Sequence, residues 1–130
     1  MATVKLGTRP KTFQQLVSIP LHEGGEGTIK AVYRYRTRTE YGRFIDELME
    51  AAQVKLAGES QAEVKYSLEL ALTKTVAKNA DYLMQIMDGW NLEQDFTLEN
   101  VRQLCDELTG AAAALIHRYG QVIEEGRLGN

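Results

Sequence analysis

From Thr12 to Leu21 the chain alternates. Phe13, Gln15, Val17, Ile19 and Leu21 fall on one side at period two, and Gln14, Leu16, Ser18 and Pro20 on the other. That period is a strand's, and Pro20 marks an edge or an end. The turn His22-Glu23-Gly24-Gly25-Glu26-Gly27 follows, with glycine for backbone freedom and charge to keep it in water. Alternation then resumes: Ile29, Ala31, Tyr33 and Tyr35 share one face, and Lys30, Arg34, Arg36 and Arg38, with Val32 among them, share the other. The pair predicts a β-hairpin over 12–38 with one buried and one basic face. A lone hairpin is marginal in water, so helices must cover its apolar side.

The period changes after Arg38. Thr37-Arg38-Thr39-Glu40 fits the capping box, in which hydroxyl and carboxylate satisfy the exposed amides of a helix start. Tyr41, Phe44, Ile45, Leu48, Met49 and Ala52 then keep three-four spacing, predicting a helix to about Ala57 that stops at Gly58. A second box, Ser60-Gln61-Ala62-Glu63, opens a stripe through Val64, Leu68, Ala71, Leu72, Val76, Ala80, Leu83, Met84 and Met87. One helix over 59–88 would span roughly 40 Å, long for a domain of this size; a break near Thr73–Thr75 is the alternative, and Gly89 is the expected stop. Residues 88–97 read as a loop in which Trp90 and Leu92 plug the core and Phe96 packs at the next helix start. Thr97 caps a helix bearing Leu98, Val101, Leu104, Cys105 and Leu108, and Thr109-Gly110 breaks it. A last helix carries Ala111, Ala114, Leu115, Ile116, Tyr119, Val122 and Ile123. The expected fold is one α+β domain over 1–130, mainly helical. It has an extended arm (1–11), the hairpin with or without a third short strand, and four to five helices over 39–125.

The chain has 130 residues, 44% hydrophobic and 25% charged, close to the globular average. Its apolar runs are short, the longest being Gly110 to Ile116, so no membrane-spanning helix is expected. The N-terminal segment has no apolar core of a secretory signal. A single cysteine, Cys105, fits a reducing cytoplasm. The net charge of −3 is uneven. Residues 1–45 carry eight Lys/Arg against three acids, and residues 46–130 seven against fifteen, so the two segments hold +5 and −8. Such polarity suits contact between copies of the chain, a charged partner or nucleic acid, or it serves solubility alone. Pairing between copies predicts salt-sensitive oligomers.

Little of the chain invites chemistry. Asp88 to Glu99 has the length of a calcium loop, but Trp90 and Leu92 stand where oxygen ligands belong and Glu93 replaces the turn glycine. The glycines after His22 open no helix and lack a following Lys-Ser/Thr, so no phosphate cradle is implied. Tyr33-Arg34-Tyr35-Arg36-Thr37-Arg38 is the best nucleic-acid candidate, yet alternation puts the tyrosines opposite the arginines, away from a shared strand. The tyrosines then belong to the core, and the arginines pair with acids of this chain or a neighbour. His22 and His117 have no ligand-like company, Cys105 lies on an apolar stripe, and Asp106-Glu107 and Glu124-Glu125 read as solvated pairs. Neither enzyme, cofactor nor metal is expected.

The order of pieces carries a resemblance. The Tyr-Arg ribbon is followed by Glu40-Tyr41 and a helix containing Phe44. Then come Ile86-Met87-Asp88-Gly89-Trp90-Asn91-Leu92, Phe96-Thr97-Leu98-Glu99-Asn100, and an alanine-rich helix with Tyr119 closing on Gly126-Arg127-Leu128-Gly129-Asn130. From Thr12 onward this resembles the tail assembly chaperones of long-tailed, siphovirus-like phages and prophages. The Trp90-Asn91-Leu92, Phe96–Asn100 and Gly126–Asn130 pieces are the most specific. The family often has aspartate where this chain has Asn91, and Ala57–Ser67 matches no family piece.

The resemblance implies a non-enzymatic protein of the infected bacterium's cytoplasm, absent from the finished virion. It would bind the tape measure protein, keep it soluble and help tail tube protein gather around it. Related phages extend this reading frame by a programmed frameshift, and this chain would be the short form. The other readings are a head–tail connector or minor tail protein of the same phage module, which would stay in the particle, and a small nucleic-acid binder. Arg34, Arg36 and Arg38 are the candidates for a charged partner contact. Met84, Met87 and Trp90 are the candidates for an apolar one, since methionines suit adaptable interfaces, although all three also suit a core. Reversing the three arginines to glutamate is expected to leave the helices folded yet weaken assembly.

Overall fold

A computed structural model describes residues 3–59 and 68–128. Its elements run β1 (Thr12–Pro20), β2 (Glu26–Arg34), α1 (Arg38–Glu59), α2 (Leu68–Ile86), β3 (Met87–Gly89), α3 (Leu98–Glu107) and α4 (Ala111–Glu125). The strands form one antiparallel sheet in the order β1-β2-β3. With four helices among the described residues, the fold is α+β, as the periodicities imply.

The hairpin keeps the register that its alternation requires, from Thr12 opposite Arg34 to Pro20 opposite Glu26. Phe13, Gln15, Val17 and Ile19 of β1 and Ile29, Ala31 and Tyr33 of β2 are buried on one face. Gln15 is the polar member of that row. Its amide donates to the Leu128 carbonyl, and its Oε1 accepts from Arg118 at 2.8 and 3.1 Å, so no polar atom is orphaned there. The tight turn closes through Gly24 at φ 94°, a conformation that glycine enters without a Cβ penalty.

β2 ends at Arg34, four residues short of the expected hairpin limit. Beyond it only the Tyr35 N–H continues the ladder, donating to Lys11 O at 3.0 Å. The capping box then starts α1 as anticipated: the Glu40 carboxylate accepts from the Thr37 N–H at 2.9 Å, and Thr37 Oγ1 accepts from the Glu40 N–H at 3.2 Å. The bond from the Thr37 N–H, helped by the Arg9 guanidinium 2.8 Å away, holds the Glu40 carboxyl below the usual carboxylate range.

The segment read as a helix end at Gly89 is instead a third strand. α2 stops at Ile86, and Met87–Gly89 pairs with β2, Met87 opposite Tyr33 and Gly89 opposite Val32. The free edge of β2 needs hydrogen-bond partners, and this short strand provides them where a further helical turn would not. α2 passes through Thr73–Thr75 unbroken, with both hydroxyls bonded to carbonyls one turn back at 2.8 and 3.0 Å. The Ser60 box, Val64 and the side chain of Ala52 lie outside the described residues.

The core lies between the sheet's inner face and the helices. α3 supplies Val101, Leu104 and Cys105, and α4 supplies Ala111, Ala112, Leu115, Tyr119, Val122 and Ile123. α2 adds Ala80, Leu83 and Ile86, and α1 adds Phe44. Thr97 caps α3 as expected, accepting from the Asn100 N–H. At the α3–α4 junction, a Cβ on Gly110 would stand 2.6 Å from the Pro20 ring, so glycine lets the hairpin end seat there.

Candidate functional site

The three arginines of the ribbon diverge. Arg34 is exposed on the outer face and meets Asp88 of β3 at 3.5 Å. Arg38 is exposed at the start of α1 and donates to the Glu124 carbonyl in the last turn of α4 at 2.6 Å, where a cation also suits the helix dipole. Arg36 turns inward. Its fork donates to the Tyr119 hydroxyl and to the Gln85 carbonyl, both at 3.0 Å, and its guanidinium sits 4.2 Å above the Phe44 ring. Arg36 thereby joins β2, α1, α2 and α4. The strict alternation assumed for the ribbon lapses once the strand ends at Arg34, which frees Arg36 to face the core. Tyr35 is half-buried, with the Arg9 guanidinium over its ring at 5.3 Å.

The apolar candidates also separate. Met87 is fully buried and offers no surface, because β3 places it opposite Tyr33 on the inner face. Met84 and Trp90 are half-buried. Trp90 donates from its indole to Gln94 O at 2.7 Å and meets Phe96 edge-on at 5.2 Å. With Leu92, His22 and the α3 residues Leu104 and Glu107 it lines an open hollow of about 280 Å³. The loop after β3 is thus self-bonded around Trp90; Trp90, Leu92 and Phe96 pack against the core but stay partly exposed, a partial plug.

Exposed apolar residues also lie at positions that periodicity assigned to core stripes. Leu68 and Leu72 of α2 are 61% and 56% exposed, and Met49 of α1 is 62% exposed. α2 changes character along its length. Leu68, Glu69 and Ala71 to Thr75 stand in solvent, Val76 begins to be covered, and Ala80 and Leu83 are fully enclosed. The leucines repeat at the same spacing as the enclosed residues, so periodicity alone does not separate them.

Burial raises several titrating groups of the core. Burial pushes the Cys105 thiol up to about 11, an unreactive range at neutral pH. Burial likewise pushes the Tyr82 phenol up to about 12 and raises those of Tyr33 and Tyr119. These shifts set an alkaline limit. Tyrosines of the unfolded chain ionise near 10, so above that pH the unfolded state holds fewer protons than the native one. The part of the stability that these phenols contribute is therefore fully present below pH 10. As pH rises toward the folded values it should fall by up to about 1.4 kcal/mol per unit for each buried phenol. Urea midpoints between pH 8 and 11 should drop accordingly, and Tyr33→Phe should flatten the slope. An equal slope in that variant would remove Tyr33 from the account.

The family model described as phage tail assembly chaperone matches residues 1–130, and the chain belongs to that family. No curated protein and no solved structure shows significant similarity to it. Among the described residues, no helix is long and apolar enough to cross a membrane.

Proposed function

We propose that this protein is a non-enzymatic chaperone that binds the tape measure protein, keeps it soluble and promotes assembly of tail tube protein around it. The family match over the full chain carries this reading. It acts in the host cytoplasm and leaves before the virion is complete. The apolar row of Leu68 and Leu72, with Met49, is the surface offered to an apolar stripe of the client. Arg34 and Arg38, exposed elsewhere on the fold, are the cations available for charged contact, and Met84 and Trp90 are half-buried at separate places. Complementary +5 and −8 segments draw copies together along the client.

Co-expression with the client tests this. The wild-type chain should hold the tape measure protein in the soluble fraction and copurify with it. Changing Leu68 and Leu72 together to serine should leave the helical circular dichroism intact, since neither is buried. Burying two half-exposed leucines is worth about 3 kcal/mol, so binding should weaken about a hundredfold. Undiminished copurification would move the client surface elsewhere. A tape measure protein that stays insoluble beside the wild-type chain would overturn the role.

A further inference from the structure

β1 is an edge strand, and its register fixes which of its backbone groups are free. Tyr35 N–H bonds to Lys11 O, so 11 and 35 form a hydrogen-bonded pair, and pairing every second residue from there takes in Phe13, Gln15, Val17 and Ile19. The backbone groups of Gln14, Leu16 and Ser18 therefore point to the open side of the sheet. Lys30 confirms the parity, since its N–H points to the opposite edge and meets Asn91 Oδ1 at 2.8 Å. Among the described residues nothing bonds to the N–H or C=O of Gln14, Leu16 or Ser18.

Exposed edges are normally defended by charge, by a bulge or by proline within the strand. β1 runs Thr-Phe-Gln-Gln-Leu-Val-Ser-Ile-Pro without a charge, pairs with β2 without a register shift, and has proline only at its last position. Leu16, at its middle, is 54% exposed on the outer face.

We propose that β1 pairs with β1 of a second copy, antiparallel about a two-fold axis at Leu16, joining two sheets into one of six strands. The free groups make this register self-complementary. Leu16 pairs with Leu16 of the second copy, and Gln14 with Ser18, six backbone hydrogen bonds in all. The outward Leu16 side chains become cross-strand neighbours. No like charges meet within the strand. Beyond its ends the same register carries the basic arm at Lys11 toward the acidic turn at Glu23. The contact is isologous and backbone-based, so it differs from head-to-tail attraction between the charged segments and does not depend on the client.

Sedimentation of the full-length chain over a concentration series, in low and high salt, reads the outcome. A dimer that persists in high salt is expected. Leu16→Pro removes one edge N–H that β2 does not use, in a place where strands tolerate proline. This variant should keep its circular dichroism and bind its second copy at least tenfold more weakly. Leu16→Lys, which puts two cations side by side at the axis, should do the same and serves if the proline variant misfolds. A wild-type chain that is monomeric at all concentrations, or that becomes so only in high salt, overturns the proposal. So do both variants dimerising like wild type, and an edge that pairs only when the tape measure protein is added.

Discussion

Tyr119→Ala is expected to cost about 4 kcal/mol, the range of a buried aromatic truncated to alanine. The ring lies parallel to Phe13 at 6.2 Å and meets Tyr33 at 5.2 Å and Tyr41 at 5.8 Å. It therefore ties α4 to both long strands and to α1. Its hydroxyl donates to Arg34 O at 2.8 Å and accepts from Arg36, closing the end of β2 onto α4. Domains of this size have about 5–15 kcal/mol in total, so the loss would approach or exceed a third of the stability. Tyr119→Phe keeps the ring and strands the Arg34 carbonyl, and should cost about 1–2 kcal/mol. Urea denaturation measures both. A Tyr119→Ala variant within 1 kcal/mol of wild type would show that the sheet and α4 are held together by other contacts.

Arg36→Ala should cost about 3 kcal/mol, combining two charge-assisted hydrogen bonds with the packing over Phe44. Arg36→Lys should recover little of this. One ammonium does not reproduce the planar fork that reaches the Tyr119 hydroxyl and the Gln85 carbonyl together. Arg34→Ala and Arg38→Ala, at exposed sites, should each cost under about 1 kcal/mol. This ordering revises the expectation for the ribbon. Reversing all three arginines would unfold the junction through Arg36 and would report on folding, whereas Arg34 and Arg38 alone probe partner contact. Equal losses for the three alanine variants in thermal melts would show that Arg36 has no special place.

The elements most legible in the sequence are those whose cause is local. The capping boxes need only a hydroxyl and an acceptor at fixed spacing, and Thr37–Glu40 and Thr97 are found doing what that spacing implies. The hairpin is written in period two, and an inward residue as polar as Gln15 still keeps its place in the row. Legibility ends where one pattern serves two environments. Leu68 and Leu72 repeat like Ala80 and Leu83, but the sheet and α3 cover only the later turns of α2, and no local signal records where that cover begins. The same holds for β3. Three residues at the end of a helical stripe become a strand because β2 has an edge to satisfy.

The candidate site divides in the same way. The Tyr-Arg ribbon and the loop around Trp90 are visible as unusual sequence and carry the family resemblance, which the match over residues 1–130 bears out. What each of their side chains does is a tertiary matter. Arg36 leaves the basic row because the strand stops at Arg34 and an aromatic pocket stands beside it. Met87 is enclosed because it faces Tyr33 across the sheet.

By itself the sequence determined the family, through its resemblance, and, through short-range spacing, the α+β class, the inward face of the hairpin and the starts of α1 and α3. The tertiary structure decided which apolar residues stay in solvent, which arginine is structural, and that β1 is left with an open edge. Those depend on where a distant segment ends, and a linear period does not contain that distance.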